Sequence, residues 1–600
     1  MTKNNIYVVD FETTTKSPVK VWLWGIVSVD YTNPINYLTG DNYVYGDNIE
    51  SFFEYIKTLK NPIIYIHSLK FEDSYIFDYL LKNNYEWIDP DDQPKTCKKK
   101  FTCIIGGDNG NHYMTKIIFK KDEKSKKTQK ATLINSANLT RSSVLEMAYD
   151  LKNNYYIKIK EKSIDFDRHN EDVPIIKEEL EYNKIDCLIV AETLQIMQSM
   201  GFTLDDKCIT IGSQALKLYK SIFNQKKKSK VLFDKLFKNQ YTKELDDKFR
   251  KAYRGGFNFL NIPSGKIMYN VIAIDKNSMY PHIMATMPLP YGEPIHFKGE
   301  YKGHKKDIVY IQYVKIWGRC KDDKIPFLKN KSDDRIEAVN YERNIYMHTW
   351  ITNIELDYIK KTYDIIKIDY YEGYYFNTST NLFNSYFISQ FYQTKEQSRN
   401  TNQTIFRVSK LLLDSLNGKF GTKYKQKSLR PILLNNKIHY KLNIREENGV
   451  KYNYRERDIL YTPISIFVTA YAKIELLKSA EDIINQFGYD SFIYCDTDSI
   501  HFKLPESGEL PDNIEISDKM GAWKVESIAY KAKYLGCKRY IFADENNNLI
   551  KCVCAGLDKN AQNQITWDNF KPGTIYKNCK KNIIVEGGMI ITNNGIFELY

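Results

Sequence analysis

The sequence predicts a mixed α+β fold built from several units, and three observations predict it. At 600 residues and 70.6 kDa the chain is too long for one ordinary domain, so about three to five units are expected. Strand-like and helix-like patterns interleave with no regular βαβ rhythm, which favours α+β over a doubly wound sheet. Hydrophobic residues make up 42% and aromatic ones 14%, enough core to exclude a mainly disordered chain although 27% of residues are charged. Lys+Arg 87 against Asp+Glu 74 leaves +13, a balance that suits a polyanionic partner without requiring one. No apolar run approaches the roughly 18 residues of a membrane span, and Met1 leads straight into the strand-like Ile6 to Val9, so no secretory signal is expected. The ten cysteines are scattered, and the closest pairs, Cys552/Cys554 and Cys97/Cys103, lack zinc-site spacing. A reducing cytoplasm without structural zinc is expected.

The first unit opens on Val8-Val9-Asp10-Phe11-Glu12, a β-branched run ending in two acids. A strand has period two, so Asp10 and Glu12 share a face, where two like charges call for a cation between them or for open solvent. Glu72 follows the strand-like Pro62 to His67 and the segment Ser68 to Phe71. Tyr182 and Asp186 fall four apart in the helical pattern Ile175 to Met200, on one face. Three or four carboxylates and a tyrosine suit phosphodiester hydrolysis with two hard cations, the tyrosine orienting water. Lysine runs at 98–100, 116–130 and 226–230 read as solvated loops or phosphate contacts. The last marks a boundary, giving a first unit of about 200 residues.

The second unit restarts with strands near 254–274. Val271 to Asp275 is an apolar strand ending in an acid, and Lys276 to Pro281 is a turn whose amides suit a triphosphate. A polar helix is expected over 386–399 and an amphipathic one over Ile405 to Phe420. The wheel of the latter separates Ile405, Val408, Leu412 and Leu416 from a stripe of Arg407, Lys410, Asp414 and Asn417. On an isolated helix those cations would only be solvated; beside carboxylates they would neutralise β and γ phosphates. Ser491 to Phe502 reads as a strand, the acidic tip Asp496-Thr497-Asp498 and a second strand, either an ordinary polar turn or a metal site. The stretches 287–385 and 424–458 read as insertions.

DFETTT, YRGGF (253–257), DKNSMYP, KLLLDSLNG (410–418), YCDTDS and KRY (538–540) occur in one order, and with them the chain resembles the protein-primed family B DNA polymerases of tailed bacteriophages. The resemblance covers Asp10 to about Lys559. It implies a ribonuclease-H-like 3′→5′ exonuclease over 1–210, then a right hand: palm at 211–286 and 459–555, fingers at 386–423 and thumb at 556–600. The insertion 287–385 would contact a terminal protein, and 424–458 would serve strand displacement and processivity. By resemblance, Asp275 and Asp498 bind two polymerase metals with Asp496 close by; Asp10, Glu12, Glu72 and Asp186 bind the exonuclease pair, with Tyr182 and Lys162 assisting. Mg²⁺ is the expected ion, two per site, with Mn²⁺ able to substitute. Ser278, Met279, Tyr280, Arg407, Lys410, Asp414 and Asn417 would meet the nucleotide, Tyr280 under the sugar where it would exclude a 2′-hydroxyl. Ser68, Tyr253, Arg254, Gly255, Gly256, Lys538 and Tyr540 would contact DNA.

The expected partners are template and primer DNA, dNTPs and a terminal protein whose hydroxyl starts synthesis, met by a monomer in the cytoplasm of an infected bacterial host. The chain departs from the family at Ser68 and Glu72, where Asn and Asp are usual, and at Asp414 and Asn417, where Asn and Tyr are usual. The competing readings are a Mg²⁺-dependent nuclease with an inactive polymerase half, and a non-catalytic basic scaffold gripping DNA through charge and tyrosine stacking.

Overall fold

The computed structural model describes residues 5–29, 42–92, 99–121, 128–303, 308–328, 343–447 and 449–599. Cys97, Lys98 and the middle of the second lysine run, 122–127, lie outside the described residues. Helices and sheets are mixed throughout, as the interleaved patterns predict.

Among the described residues the first sheet has eight strands, in the order Val44–Gly46, Val21–Ser28, Ile6–Thr13, Ile63–Ile66, Thr128–Asn135, His112–Lys121, Lys100–Ile105 and Glu86–Trp87. Ile6–Thr13 runs parallel to Ile63–Ile66, which runs parallel to Thr128–Asn135. Parallel neighbours present their carboxyl ends on one edge, so the acids ending the first strand and the helix following the second, Leu69–Lys82, arrive at the same place. The helix Lys177–Ser199 packs across Ile6–Thr13 and Val21–Ser28 and carries Tyr182 and Asp186 to that edge.

The second sheet has seven described strands, in the order Leu549–Cys554, Arg539–Ala543, Trp523–Gly536, Ile267–Lys276, Ser499–Lys503, Phe492–Asp496 and Asn258–Leu260. Its spine is the apolar Val271 to Ile274, fully buried and paired on both sides. The helix Pro463–Phe487, with proline in its first turn, lies under this sheet and buries most of its length. The helices Ser389–Ser398 and Gln403–Phe420 pack on each other beside it. The second begins where the Asn402 side chain accepts a hydrogen bond from the Ile405 amide at 3.0 Å.

The stretch 287–385 forms a third sheet, with Tyr363–Ser379 between Leu289–Lys298 and Val309–Cys320 and the strand Asn344–Thr352 at its edge, together with the helix Asn353–Thr362. Within 424–458, the hairpin Leu429–Leu434/Lys437–Leu442 lies on the helix Leu69–Lys82, and Ile438 is buried in the first unit's core. Asp89 and Asp91 tie down its far side through Arg445, the latter at 2.7 Å, and Asp91 also holds Arg455. The C-terminal hairpin Ile575–Val585/Gly588–Glu598 reaches the same place: the Val19 amide donates to the Glu586 carbonyl at 2.9 Å, and the backbones of Lys437 and Glu586 form an isolated antiparallel β-bridge. The first unit, the 424–458 insertion and the C-terminal hairpin therefore meet at one point.

Candidate active sites

At the edge of the first sheet, one ligand oxygen from each of Asp10, Glu12 and Asp186 lies within 4.8 Å of the others. Burial, and then the neighbouring acids, hold the pKa values of Asp10 and Glu12 well above the ordinary carboxylate range, and Lys160 pulls them back only in part. Three acids so placed cannot all stay charged without a cation, and an all-oxygen donor set suits a hard divalent ion. The Asn183 Nδ2 amide donates to Asp10 Oδ2 at 3.2 Å from the turn that presents Asp186. Lys160 Nζ donates to Tyr182 Oη at 2.5 Å and to Asp186 Oδ2 at 2.8 Å.

The expected lysine was Lys162, and the structure corrects it. Lys160 and Lys162 share the helix Asn154–Lys162, where two residues turn the chain about 200°; only the face of Lys160 meets the carboxylates. Glu72, expected as a fourth ligand, is not among the three acids whose oxygens gather within 4.8 Å, but it is near enough that the charge of Asp10 adds to the rise burial gives its pKa. Its Oε2 accepts a hydrogen bond from the Tyr75 hydroxyl at 2.5 Å. Asp73, one place on, turns away to His112 at 2.7 Å and Thr115 at 3.0 Å. Ser68 precedes the helix with a left-handed φ of 63° and makes no side-chain capping bond.

The second site is built where the strand Ile267–Lys276 ends against the hairpin Phe492–Asp496/Ser499–Lys503. Asp275 pairs in register with Ser499, and the Lys276 amide donates to the Asp498 carbonyl at 2.8 Å, so Asp275 and Asp498 emerge side by side. Burial, then Asp275 and Asp496, push Asp498 up to about 7, and burial raises Asp275 against the pull of Lys524 and Lys410. This oxygen-only pair also fits a divalent cation. Asp496 is engaged elsewhere, by Lys538 Nζ at 2.6 Å and the Tyr494 hydroxyl at 3.0 Å. Thr497 at the tip has φ 56°, and its amide donates to the Phe257 carbonyl at 2.7 Å. A Cβ on Gly256 would overlap the Thr497 side chain, so the YRGGF segment closes on the acidic turn only because that residue is glycine.

Around this pair stand Tyr280, raised in pKa by burial, Asp498 and Tyr253, and Ser278, whose Oγ accepts from Lys395 Nζ at 3.1 Å. Met279 is buried and offers the site only its backbone, at the start of the helix Met279–Thr286. Lys410 and Asp414 face the cleft. Asp414 is open to solvent yet enclosed enough that its pKa is raised, Asp275 adding to this while Lys410 and Lys395 oppose it.

Four expected contacts are placed differently. Arg407 turns from the nucleotide stripe to Asp150 at 2.5 Å and Ser142 at 3.1 Å on the first unit, because the helix carrying Asp150 packs against the start of Gln403–Phe420. Asn417 is buried: the helix Pro463–Phe487 covers that end of the stripe, Ser465 donates to the Asn417 carbonyl at 2.5 Å, and the Asn417 side-chain oxygen meets no hydrogen-bond partner. Arg254 donates to both oxygens of Glu355 at 3.1 Å, where Lys473 also pairs, instead of standing free for phosphate. Strand alternation turns Tyr540 inward among Tyr494, His501, Tyr534 and Phe542, beneath the surface that carries Lys538.

Residues 56–516 match the family model for DNA polymerase type B, organellar and viral. The chain belongs to the type B DNA polymerases of organelles and viruses. It is 30% identical to the DNA polymerase of Bacillus phage B103 and 30% identical to that of Bacillus phage phi29, over 98% of this chain and 98% of the relative in both cases. A solved structure of the phi29 enzyme with primer-template DNA and incoming nucleotide superposes with a TM-score of 0.83 at 28% identity, covering 100% of both chains.

In this type B polymerase, several polar groups at the two sites have no motif to announce them. Lys160, Asn183, Lys395 and Lys524 reach their carboxylates or serine from other elements: Lys395 is 117 residues from Ser278, and Lys524 stands 3.7 Å from Asp275 across a strand pair. Tyr75 could have been noticed as an i, i+3 partner of Glu72 on one helix. Asn183 stands in the same relation to Asp186; Lys160, Lys395 and Lys524 give no local signal.

Proposed function

We infer that the chain is a DNA-directed DNA polymerase of a phage replication system, adding dNTPs to a primer 3′-hydroxyl on a DNA template and releasing pyrophosphate. The observation that carries it is the placing of Asp275, at a strand end, beside Asp498 in the adjoining turn, with Lys410 and Lys395 across the cleft. Asp275 and Asp498 would hold divalent cations, Mg²⁺ in the first instance with Mn²⁺ able to replace it. When bound, such ions lower the charge on the α phosphate and on the attacking oxygen. The rest falls to the protein: Lys410 and Lys395 neutralise the β and γ phosphates, the turn at Ser278 and Met279 cradles them, and Tyr280 walls the sugar. Lys538, ion-paired to Asp496 at 2.6 Å, stands ready for the primer end. Transfer then depends on in-line positioning and charge neutralisation.

The first site serves 3′→5′ exonucleolysis. Asp10, Glu12 and Asp186, with Glu72 close by, would hold the cations, while Tyr182, fixed by Lys160, would orient the attacking water. The insertion 287–385 receives a terminal protein that supplies the first hydroxyl. The meeting of the 424–458 hairpin with the C-terminal hairpin supports closure around DNA, hence strand displacement without a helper. The enzyme works as a monomer with one terminal protein in the cytoplasm of an infected bacterial host. A 5′-labelled primer on a longer template, run on a denaturing gel across a dNTP series from zero with Mg²⁺, tests both sites. Lengthening at high dNTP and shortening at zero dNTP are expected; no lengthening at any concentration would refute the polymerase reading.

A further inference from the structure

Glu72 differs from an aspartate by one methylene, which adds a rotatable bond and swings the carboxylate over a wider arc. A carboxylate that must meet a metal within a few tenths of an ångström loses occupancy when its arm is free, unless something else fixes it. The structure supplies a fixture. Tyr75 lies one helical turn on from Glu72 in Leu69–Lys82, and its hydroxyl donates to Glu72 Oε2 at 2.5 Å. Both residues are buried, Glu72 to 7% and Tyr75 to 4% exposure, so water does not compete for the bond.

The tyrosine ring is itself locked. It packs edge-on against Phe11, with centroids 5.4 Å apart, and against Phe71 at 6.4 Å. Phe11 is the residue between Asp10 and Glu12, so the strand that presents two of the acids also fixes the ring that holds Glu72. The C-terminal hairpin closes over the base of this side chain: a Cβ added at Gly588 would stand 3.4 Å from Tyr75 Cβ.

We propose that Tyr75 is a positioning residue that adapts the first site to a glutamate: its hydroxyl fixes the longer Glu72 arm at the margin of the Asp10, Glu12 and Asp186 cluster, where a cation held by the three can still draw on it. This rests on the exonuclease reading but is separable from it, because the bond would order the metal site whether or not hydrolysis follows. The need for Tyr75 should vanish when the arm is shortened, since an aspartate at 72 draws its carboxylate back from the hydroxyl.

The test is a cycle of Tyr75→Phe, Glu72→Asp and the double variant in the full chain. Exonuclease kcat and KM are measured on single-stranded DNA, and Mn²⁺ binding by electron paramagnetic resonance in an Asp275→Ala/Asp498→Ala background. Tyr75→Phe should lower kcat and Mn²⁺ affinity about tenfold each, the scale of a hydrogen bond to a charged group, with KM for DNA unchanged. In the Glu72→Asp background the same substitution should cost less than about twofold. Primer extension, read without the polymerase-site substitutions, should be unaffected, which reports on folding. Equal losses in both backgrounds, or Mn²⁺ affinity untouched by Tyr75→Phe, would overturn the assignment. Tyr75-dependent Mn²⁺ binding in a chain that shortens no primer would uphold it while refuting the exonuclease reading.

Discussion

The buried cluster of Glu355, Arg254 and Lys473 joins the 287–385 insertion to the YRGGF segment and to the helix Pro463–Phe487, and Glu355→Gln should loosen that junction. Glu355 is 1% exposed and Lys473 6%. Burial alone would raise the Glu355 pKa, but Lys473 and then Arg254 overcome it and hold it at about 2, against an ordinary 4.5. At 1.36 kcal/mol per pKa unit this favours the charged Glu355 by about 3 kcal/mol, while burial acts against the charge of Lys473 and lowers its pKa, so the pair together gains less than Glu355 alone suggests. Because the folded pKa is depressed, this contribution is present above pH 4.5 and is lost as pH falls from there towards about 2. A chain of several units has no single unfolding free energy, so the assay is hydrogen exchange of the helix Asn353–Thr362, which carries Glu355. At pH 7 Glu355→Gln should speed exchange of its slowest amides about 100-fold. The double variant Glu355→Leu/Lys473→Met should recover most of the protection, since an apolar pair removes both the attraction and the desolvation cost, while Arg254 can turn to water. Unchanged exchange in Glu355→Gln, or a double variant worse than the single, would refute the reasoning.

Asp498→Ala should abolish primer extension and spare shortening, and Asp10→Ala should do the reverse; parallel losses on the same gel would sink the two-site account. Lys160→Ala should slow exonucleolysis at least about tenfold, whereas Lys162→Ala should leave it within twofold, as single-turnover shortening of a labelled strand would report. Tyr280→Ala should raise incorporation of ribonucleotides relative to dNTPs in a competition assay, and unchanged discrimination would remove Tyr280 from that role. Ser68→Asn should stabilise the first unit by up to about 1 kcal/mol, because asparagine tolerates left-handed backbone better than serine; a lower unfolding temperature for that unit would contradict this.

Much of the scaffold was legible because periodicity and burial agree. The run Val271 to Ile274 is fully buried between two partner strands, and the patterns at Ile175 to Met200 and Ile405 to Phe420 are the helices Lys177–Ser199 and Gln403–Phe420 within two residues at each end. The acids were legible for the same reason: a charge ending an apolar strand is conspicuous. Their partners were not, because a wheel separates a polar stripe from an apolar one but says nothing of what packs on the polar side. Arg407 and Asn417 lie on one stripe with Lys410, yet the first unit claims one and the helix Pro463–Phe487 buries the other. Lys160 and Lys162 have equal claims in sequence, and only the packing of their helix separates them.

A second kind of illegibility lies in the backbone. Ser68, Ser278, Thr497 and Lys538 all have left-handed φ, between 50° and 63°, and each adjoins a chemical group: Ser68 before the Glu72 helix, Ser278 against Lys395, Thr497 between two aspartates, Lys538 on Asp496. None is glycine or asparagine, so each costs about 1 kcal/mol or more that local sequence preference would avoid. Propensity arguments assign such residues to ordinary turns. The strain has a geometric return at each place: a left-handed residue reverses the chain within one step, so that consecutive side chains or amides converge on one point instead of alternating across a strand. At Asp496-Thr497-Asp498 that reversal brings the Asp498 carbonyl within 2.8 Å of the Lys276 amide, and it is this bond, rather than the two acids themselves, that sets Asp498 beside Asp275.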